Sequence, residues 1–432
     1  MRNKGICKFI AIVLAVFLIL YDSLLNVNAL QIKVEKINVF GGKGSDCYED
    51  VISTFDGGYI AVGYSFSTDG DMKGLNRGSS DAIIVKYDSK GNLKWRKSFG
   101  GSGDDGFTAV STAKDGGYIV VGTSCSNDGN MKGLNRGKSD AVIVKYDTRG
   151  NIKWIRSFGG SLSDEFTAVI ETKDGGYVAT GHSYSSDKDM KGLNKGEWDG
   201  IIVKYDLKGN LKWKRGFGSE GDDGFGKLSE TIDGGYIVFA SLESKNGERN
   251  GFVIKFDSQG NIKWKKKEDA NIILYDIVSL SNGSFIAAGV GSLKFDKYKD
   301  KAIICKYDAN WNIQWIRGFG GSDCDIFNAI ECVKNGGYIA VGFSGSKDGD
   351  LQGLNKGGYY AIIVKFDING NIKWAKSFGG GGSSTVLFNA VSTKNDGRYM
   401  AVGCSRSEDG DMRGLSKGLE DAITVMYREV KY

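Results

Sequence analysis

The sequence predicts an all-β protein, a seven-bladed β-propeller of four-stranded antiparallel blades. Three observations predict it. A GNLKW-type pentapeptide recurs, ending at Trp95, Trp154, Trp213, Trp264, Trp315 and Trp374, with steps of 59, 59, 51, 51 and 59 residues. A Gly-Gly-Tyr marker ends at Tyr59, Tyr118, Tyr177, Tyr236 and Tyr338, with degenerate copies at Phe285 and Tyr399, which makes seven units. Each unit holds four short strand-like runs bounded by turn residues. In the second these are Phe107–Ala113, Tyr118–Ser124, Asp140–Asp147 and Asn151–Phe158, called strands A to D. Four strands per unit joined by hairpins are propeller blades. The 3.6-residue periodicity of a helical solenoid is missing, and a β-helix uses shorter repeats.

In chain order, residues 1–29 stand apart from the repeats. Arg2, Lys4 and Lys8 precede an apolar run from Phe9 to Leu20, and Val27-Asn28-Ala29 offers a small-residue cleavage site. This is the pattern of a secretory signal peptide; the run is short for a membrane span, though an uncleaved anchor is the rival reading. Leu30–Phe40 runs into Gly41-Gly42 and so aligns with a strand D, whereas Asp421–Tyr432 stops after a strand C. The N-terminal strand therefore completes the last blade and closes the ring without an open edge. The expected organisation is a signal peptide over 1–29 and one propeller over 30–432. Blades begin near residues 43, 102, 161, 220, 270, 322 and 381.

Composition agrees with a packed β fold. Of the 432 residues 41% are hydrophobic and 25% charged; Gly is abundant at 65 and Pro is absent, so every reversal relies on Gly, Asn and Asp. Without residues 1–29 the formal net charge falls from +5 to +3. There is no basic block, which argues against nucleic acid as a partner. Six cysteines follow the signal segment: Cys47, Cys125, Cys305, Cys324, Cys332 and Cys404. They occupy non-equivalent positions, so they read as buried thiols rather than a recurring disulfide framework, with Cys324 and Cys332 near enough in sequence to pair.

The motifs GGYIVVG (Gly116–Gly122), DAIIVKYD (Asp81–Asp88), GNLKW (Gly91–Trp95) and the FGG that follows resemble those of extracellular β-propeller repeat proteins of bacteria and archaea. The G-N-x-x-W element also resembles the Trp motif of quinoprotein-type propellers. The resemblance spans residues 30–432 and implies a secreted or cell-surface propeller; it implies no activity, since propellers host unrelated functions.

Trp95, Trp154, Trp213, Trp264, Trp315 and Trp374 share one register on strand D and are expected to pack blade against blade. Lys36 stands near this position in the last blade. The longest loops join strands B and C, as in Ser67–Ala82, with related forms starting at Ser126, Ser185, Ser346 and Ser407. Their paired acidic positions are the candidate ligands for a hard cation, with Ca²⁺ the candidate cofactor. They are Asp69 with Asp71, Asp128 (beside Asn130), Asp187 with Asp189, Asp348 with Asp350, and Asp409 with Asp411. The competing reading is that these residues build Asx-type turns. The D–A segments emerge on the same face. They bring Asp104, Asp105, Asp164, Asp222, Asp223, Asp323 and Asp325 as a candidate ligand-binding face.

Catalysis finds little support. The one His, His182, excludes a multi-His metal site, and no Gly-x-Ser-x-Gly elbow or phosphate loop appears. Blades four and five break the repeat: their B–C loops are shortened (Leu242–Asn250) or replaced (Ser292–Lys301), which would leave a one-sided groove or docking notch. The leading expectation is a monomeric, non-enzymatic module that binds an extracellular glycan or protein through the loop face. The alternatives are a glycan hydrolase or lyase using carboxylates on that face, and a structural envelope component.

Overall fold

A computed structural model of the chain describes residues 31–243, 249–269, 271–292, 300–334, 336–355, 357–382 and 384–430. The expected signal segment lies outside them, as do residues 244–248 and 293–299 in the two atypical B–C loops. The described residues form seven four-stranded antiparallel sheets arranged as a propeller. Blade one comprises β2 (Asp46–Ser53), β3 (Tyr59–Ser65), β4 (Asp81–Tyr87) and β5 (Leu93–Phe99). The same order repeats in blades two (β6–β9, 105–158), three (β10–β13, 164–217), four (β14–β17, 224–267), five (β18–β21, 272–319) and six (β22–β25, 325–378). Blade seven takes β26 (Val386–Thr393), β27 (Arg398–Ser405) and β28 (Asp421–Val430) from the end of the chain and β1 (Gln31–Phe40) from its start. β1 pairs antiparallel with β28 from Gln31↔Val430 to Phe40↔Ala422, which closes the ring.

The hydrophobic core lies between the blades. One cluster joins blades seven and one through Phe40, Tyr48, Met72 and Met426, and the next joins blades one and two through Ile84, Phe99, Phe107 and Met131. Because both faces of each sheet are covered, the middle strands carry continuous apolar runs. Ile60, Ala61 and Val62 of β3 and Ile83, Ile84 and Val85 of β4 are fully buried. The one cation of β4, Lys86, reaches out at the strand end. Lys86 Nζ donates to Thr54 Oγ1 and, at 2.7 Å, to Asp56 Oδ1 in the A–B turn.

Short polar links stitch neighbouring blades. Parallel bridges join Ser80 to Asp104 and Ser139 to Ser163, with Asp105 N donating to Ser80 O at 3.0 Å. The inner strands, whose channel-side edge has no strand partner, use side chains instead: Asp50 accepts from Val110 N of the next blade, and Asp276 from Ile330 N. Such pairing satisfies backbone groups that would be costly to bury alone.

The strand D tryptophans sit over the C–D turn of the next blade. A Cβ on Gly150 would lie 2.9 Å from the Trp95 ring, one on Gly209 2.9 Å from Trp154, and one on Gly260 2.8 Å from Trp213. Those glycines also hold φ near +75°. The G and W of GNxxW are thus partners across a blade interface, each glycine meeting the tryptophan of the blade before it. At the closing seam Lys36 replaces Trp, and its stem lies 3.3 Å from the Cβ position of Gly91. In blade five Trp311 replaces the glycine and turns inward, stacking on Tyr307 with ring centroids 4.0 Å apart.

Cys324 and Cys332 cannot pair. Cys332 ends β22 (Asp325–Cys332) and Cys324 directly precedes it, so eight residues of extended chain separate them by roughly 26 Å, against a limit of about 7 Å between the Cα atoms of a disulfide.

Gly150→Ala should lower the unfolding free energy by about 2 kcal/mol, from the left-handed backbone and from displacement of the Trp95 ring. Denaturant titration would show a reduced midpoint at unchanged slope. A midpoint equal to the parent's would refute the packing role assigned to this contact.

Candidate functional site

The B–C loops of blades one, two, three, six and seven fold inward over the preceding D–A segment. Each carries a single turn of 3-10 helix, such as Gly70–Met72, whose Met or Leu is fully buried. Met72 packs against Phe40 and Met426 of blade seven; Met131, Met190, Leu351 and Met412 plug the four equivalent seams. The paired acidic positions hold these loops down. Asp69 Oδ1 accepts from Lys43 N at 2.8 Å, and Asp71 Oδ2 from Gly41 N at 3.2 Å and Lys417 Nζ at 2.6 Å. In the same way Asp128 receives Ser102 N, Asp187 receives Ser161 N, Asp348 receives Ser322 N and Asp409 receives Gly381 N. Asp189, Asp350 and Asp411 receive Gly159, Gly320 and Gly379 N–H groups. Arg136 of blade two also pairs with Asp189 of blade three. The paired side chains of each loop, Asp128 and Asn130 in blade two and two aspartates in the others, therefore diverge onto separate backbone donors. Among the described residues no group of three or more His, Cys, Asp or Glu side chains could hold a metal. In this structure these residues act as clips that tie each loop to backbone amides.

Four members of the expected acidic ligand face are also placed elsewhere. Asp105, Asp164, Asp223 and Asp325 are buried beneath the loops, each at most 2% exposed. Asp105 accepts from Ser124 Oγ, from Ser126 Oγ at 2.6 Å and from Gly101 N at 2.9 Å, an arrangement repeated at Asp164 and Asp325. Asp223 instead accepts from Ser219 N and from Glu243 N at 2.8 Å. The sequence could not separate them from their neighbours, because Asp104 and Asp105 are adjacent and point opposite ways. Asp104 and Asp323 are exposed and Asp222 is half-buried beside His182, so these three do reach the face.

Facing the buried aspartates across three seams is a second one from strand C of the preceding blade. Asp81, Asp140 and Asp199 are fully buried, and each has one carboxylate oxygen without a hydrogen-bond partner. A Cβ on Gly218 would lie 2.0 Å from Asp199 Oδ1 and 2.8 Å from Asp223 Oδ2, so both carboxylates approach one point. Burial, opposed by the Arg136 amide and reinforced by the Asp164 charge, pushes Asp140 up to about 6; Asp199 is likewise pushed to about 6. In blade five Lys301 takes this position and donates to Gly320 O at 3.2 Å.

The loop face differs at blades four and five. The B–C connections of blades four and five insert no buried Met or Leu among the described residues. A cleft of about 490 Å³ lies there, reached by blades three, four and five. Its walls are mainly Phe225, Phe239, Phe252, Ile273, Leu274 and Tyr275, with Thr167, His182 and Ser241 at the edge. Ile273 is 57% and Tyr275 40% exposed, unusual for such side chains. Beside them Trp198 meets His182 and Tyr184 edge-on, with centroids 4.8 and 5.4 Å apart. Glu268 reaches the cleft, but its carboxylate is committed inward, accepting from Trp311 Nε1 and from Tyr307 OH at 3.2 Å. Burial raises its pKa against those bonds. His182 is lowered by burial, opposed by the Asp222 charge. The arrangement can receive an apolar group and hydrogen-bond to it at the margin. The broken loops were legible as a notch; the apolar wall was not, although blade five's NIILYD, where blade three reads SDEFTA, and its Trp311 were available as signals.

No protein-family model matches the chain. Over 210 residues, 45% of the chain, it is 26% identical to the regulatory protein FlaEY of Caulobacter vibrioides, covering 22% of that protein. Over 146 residues, 30% of the chain, it is 26% identical to the uncharacterized WD repeat-containing protein L264 of Acanthamoeba polyphaga mimivirus, covering 10% of it. The chain thus spans less than a quarter of the length of either curated relative. Among solved structures it is similar to the Neurospora crassa Pan2 WD40 domain, with a TM-score of 0.49 and 9% identity over 93% of this chain and 96% of that one. These likenesses carry no ligand or partner over to this chain.

The seam carboxylates give a pH dependence of defined sign. An aspartate held at about 6 when folded and near 3.9 when unfolded adds stability below about pH 4 that is lost as pH rises through about 6. Asp140→Asn should therefore stabilise the protein at pH 7.5 relative to the parent and confer less advantage at pH 5. Melting curves at the two pH values test this; an equal difference at both would contradict the burial argument.

Proposed function

We propose that the protein is a secreted or cell-surface, non-enzymatic propeller whose ligand is an extracellular protein, held by an apolar side chain inserted into the cleft shared by blades three to five. One observation carries the reading. The cleft is walled by Phe, Ile, Leu and Tyr and rimmed by exposed Ile273 and Tyr275, at the two seams where no Met or Leu plug stands among the described residues. Apolar pockets with a few marginal polar groups suit an aliphatic or aromatic anchor. A glycan would need more polar groups directed into the cleft, and Glu268, the one carboxylate among the described residues that line it, is already bonded inward. The alternative of a glycan hydrolase or lyase loses support because Asp105, Asp164, Asp223 and Asp325 are buried and satisfied.

The test is selection of a displayed random-peptide library on the folded chain, alongside a glycan array. The expected outcome is enrichment of peptides bearing an aromatic or large aliphatic residue. Their affinity should fall about thirtyfold or more with Ile273→Arg or Tyr275→Ala, the loss of a roughly 2 kcal/mol anchor. Both positions are exposed, so the fold should persist. Peptide binding indifferent to these substitutions, or binding to glycans alone, would overturn the proposal.

A further inference from the structure

The closing seam carries a pair of cysteines that no other seam has. Cys47 lies in β2 of blade one, next after the buried Asp46, and is 2% exposed. Cys404 lies in β27 of blade seven, next before Ser405, and is 5% exposed. The equivalent positions at the seam between blades one and two are Gly106 and Tyr64. A Cβ on Gly106 would lie 3.7 Å from the Tyr64 Cβ. At the seam between blades three and four they are Gly224 and His182, and the same separation is again 3.7 Å. Disulfides have Cβ atoms about 3.8 Å apart. The repeat thus brings these two positions to bonding distance at both of these seams, and only at the closing one are both residues cysteine.

Local contacts agree. Asn389 of β26 donates through Nδ2 to Cys47 Sγ at 3.4 Å and to Tyr48 O at 2.9 Å, so the Cys47 side chain faces blade seven. The neighbouring Cys404 thiol, together with burial, holds the Cys47 thiol well above its usual range. The sulfurs are not bonded to each other in the structure.

We propose that Cys47 and Cys404 form a disulfide that locks the first blade to the last. The step is thiol–disulfide exchange with a disulfide oxidant. One cysteine thiolate attacks the oxidant, releasing one thiol and forming a mixed disulfide. The second thiolate attacks the protein sulfur and releases the other thiol, so two protein thiols are oxidised and one disulfide is reduced. A buried thiol with a raised pKa is a poor nucleophile, so the bond forms while the seam is still open during folding, and seam closure then shields it from reductants. The β1–β28 pairing within blade seven closes the ring without a covalent bond, and this disulfide would join blade one to blade seven covalently. It joins points about 360 residues apart, where a cross-link restricts the unfolded chain strongly.

The full chain is refolded from denaturant with oxidised and reduced glutathione, free thiols are alkylated, and a non-reducing digest is mapped by mass spectrometry. A peptide pair linking Cys47 to Cys404 is expected. The melting temperature should exceed that of the reduced protein by about 5 °C. The Cys47→Ala, Cys404→Ala double variant should show no redox-dependent shift. Alkylation of both cysteines after oxidative refolding, or their linkage to other cysteines, would overturn the proposal. The peptide map uses the parent chain, so it decides the matter even where the variant fails to fold.

Discussion

Everything in this protein depends on the contact between one blade and the next. A single four-stranded blade exposes two apolar faces and cannot bury either alone. The core therefore exists only as seven interfaces, each shared by consecutive sheets. The Trp–Gly contact on the outer strands fixes the approach of the two sheets at the rim. Side chains such as Asp50 and Asp276 fix it at the channel by capturing backbone N–H groups of the following inner strand. A ring built this way is as strong as its closing seam. There the Trp is replaced by Lys36 and the strand pairing joins the two ends of the chain.

The acidic, glycine-rich loops serve the same contact. Asp69 and Asp71, and their counterparts round the ring, bond amides of the segment that enters their own blade, and the loop's buried Met or Leu closes the seam from above. Glycines such as Gly70, at φ +56°, let the loop approach that segment: a Cβ there would lie 2.3 Å from Gly41 O. The cost of this architecture is a set of buried carboxylates facing one another, with oxygens at Asp81, Asp140 and Asp199 left without hydrogen bonds. Between about pH 4 and 6 the folded ring therefore holds protons that an unfolded chain has already released.

The repeat scheme lapses in one region. Among the described residues blades four and five insert no Met or Leu plug, and aromatic side chains there line a cleft. Blade five adds its own changes, with Trp311 standing in the left-handed conformation where the other blades have glycine and Glu268 satisfied within the core. A symmetric scaffold offers equivalent surfaces; the broken positions give it one distinct place.

The sequence by itself determined the number of blades, the strand order, the closure by Gln31–Phe40 and the register of the tryptophans. Each is written as a repeat, and a repeat that buries both sheet faces leaves one way to stack. It also marked the loops of blades four and five as different. Only the tertiary structure decided which acidic residues face solvent. Asp104 and Asp105 are neighbours with opposite orientations, and the alternation of a strand is fixed by pairing with β7 (Tyr118–Ser124) rather than by composition. It likewise separated Cys324 from Cys332 along one strand and brought Cys47 to Cys404 across the ring. Proximity between residues far apart in the chain depends on which blades become neighbours, and the first and last do so only when the ring closes.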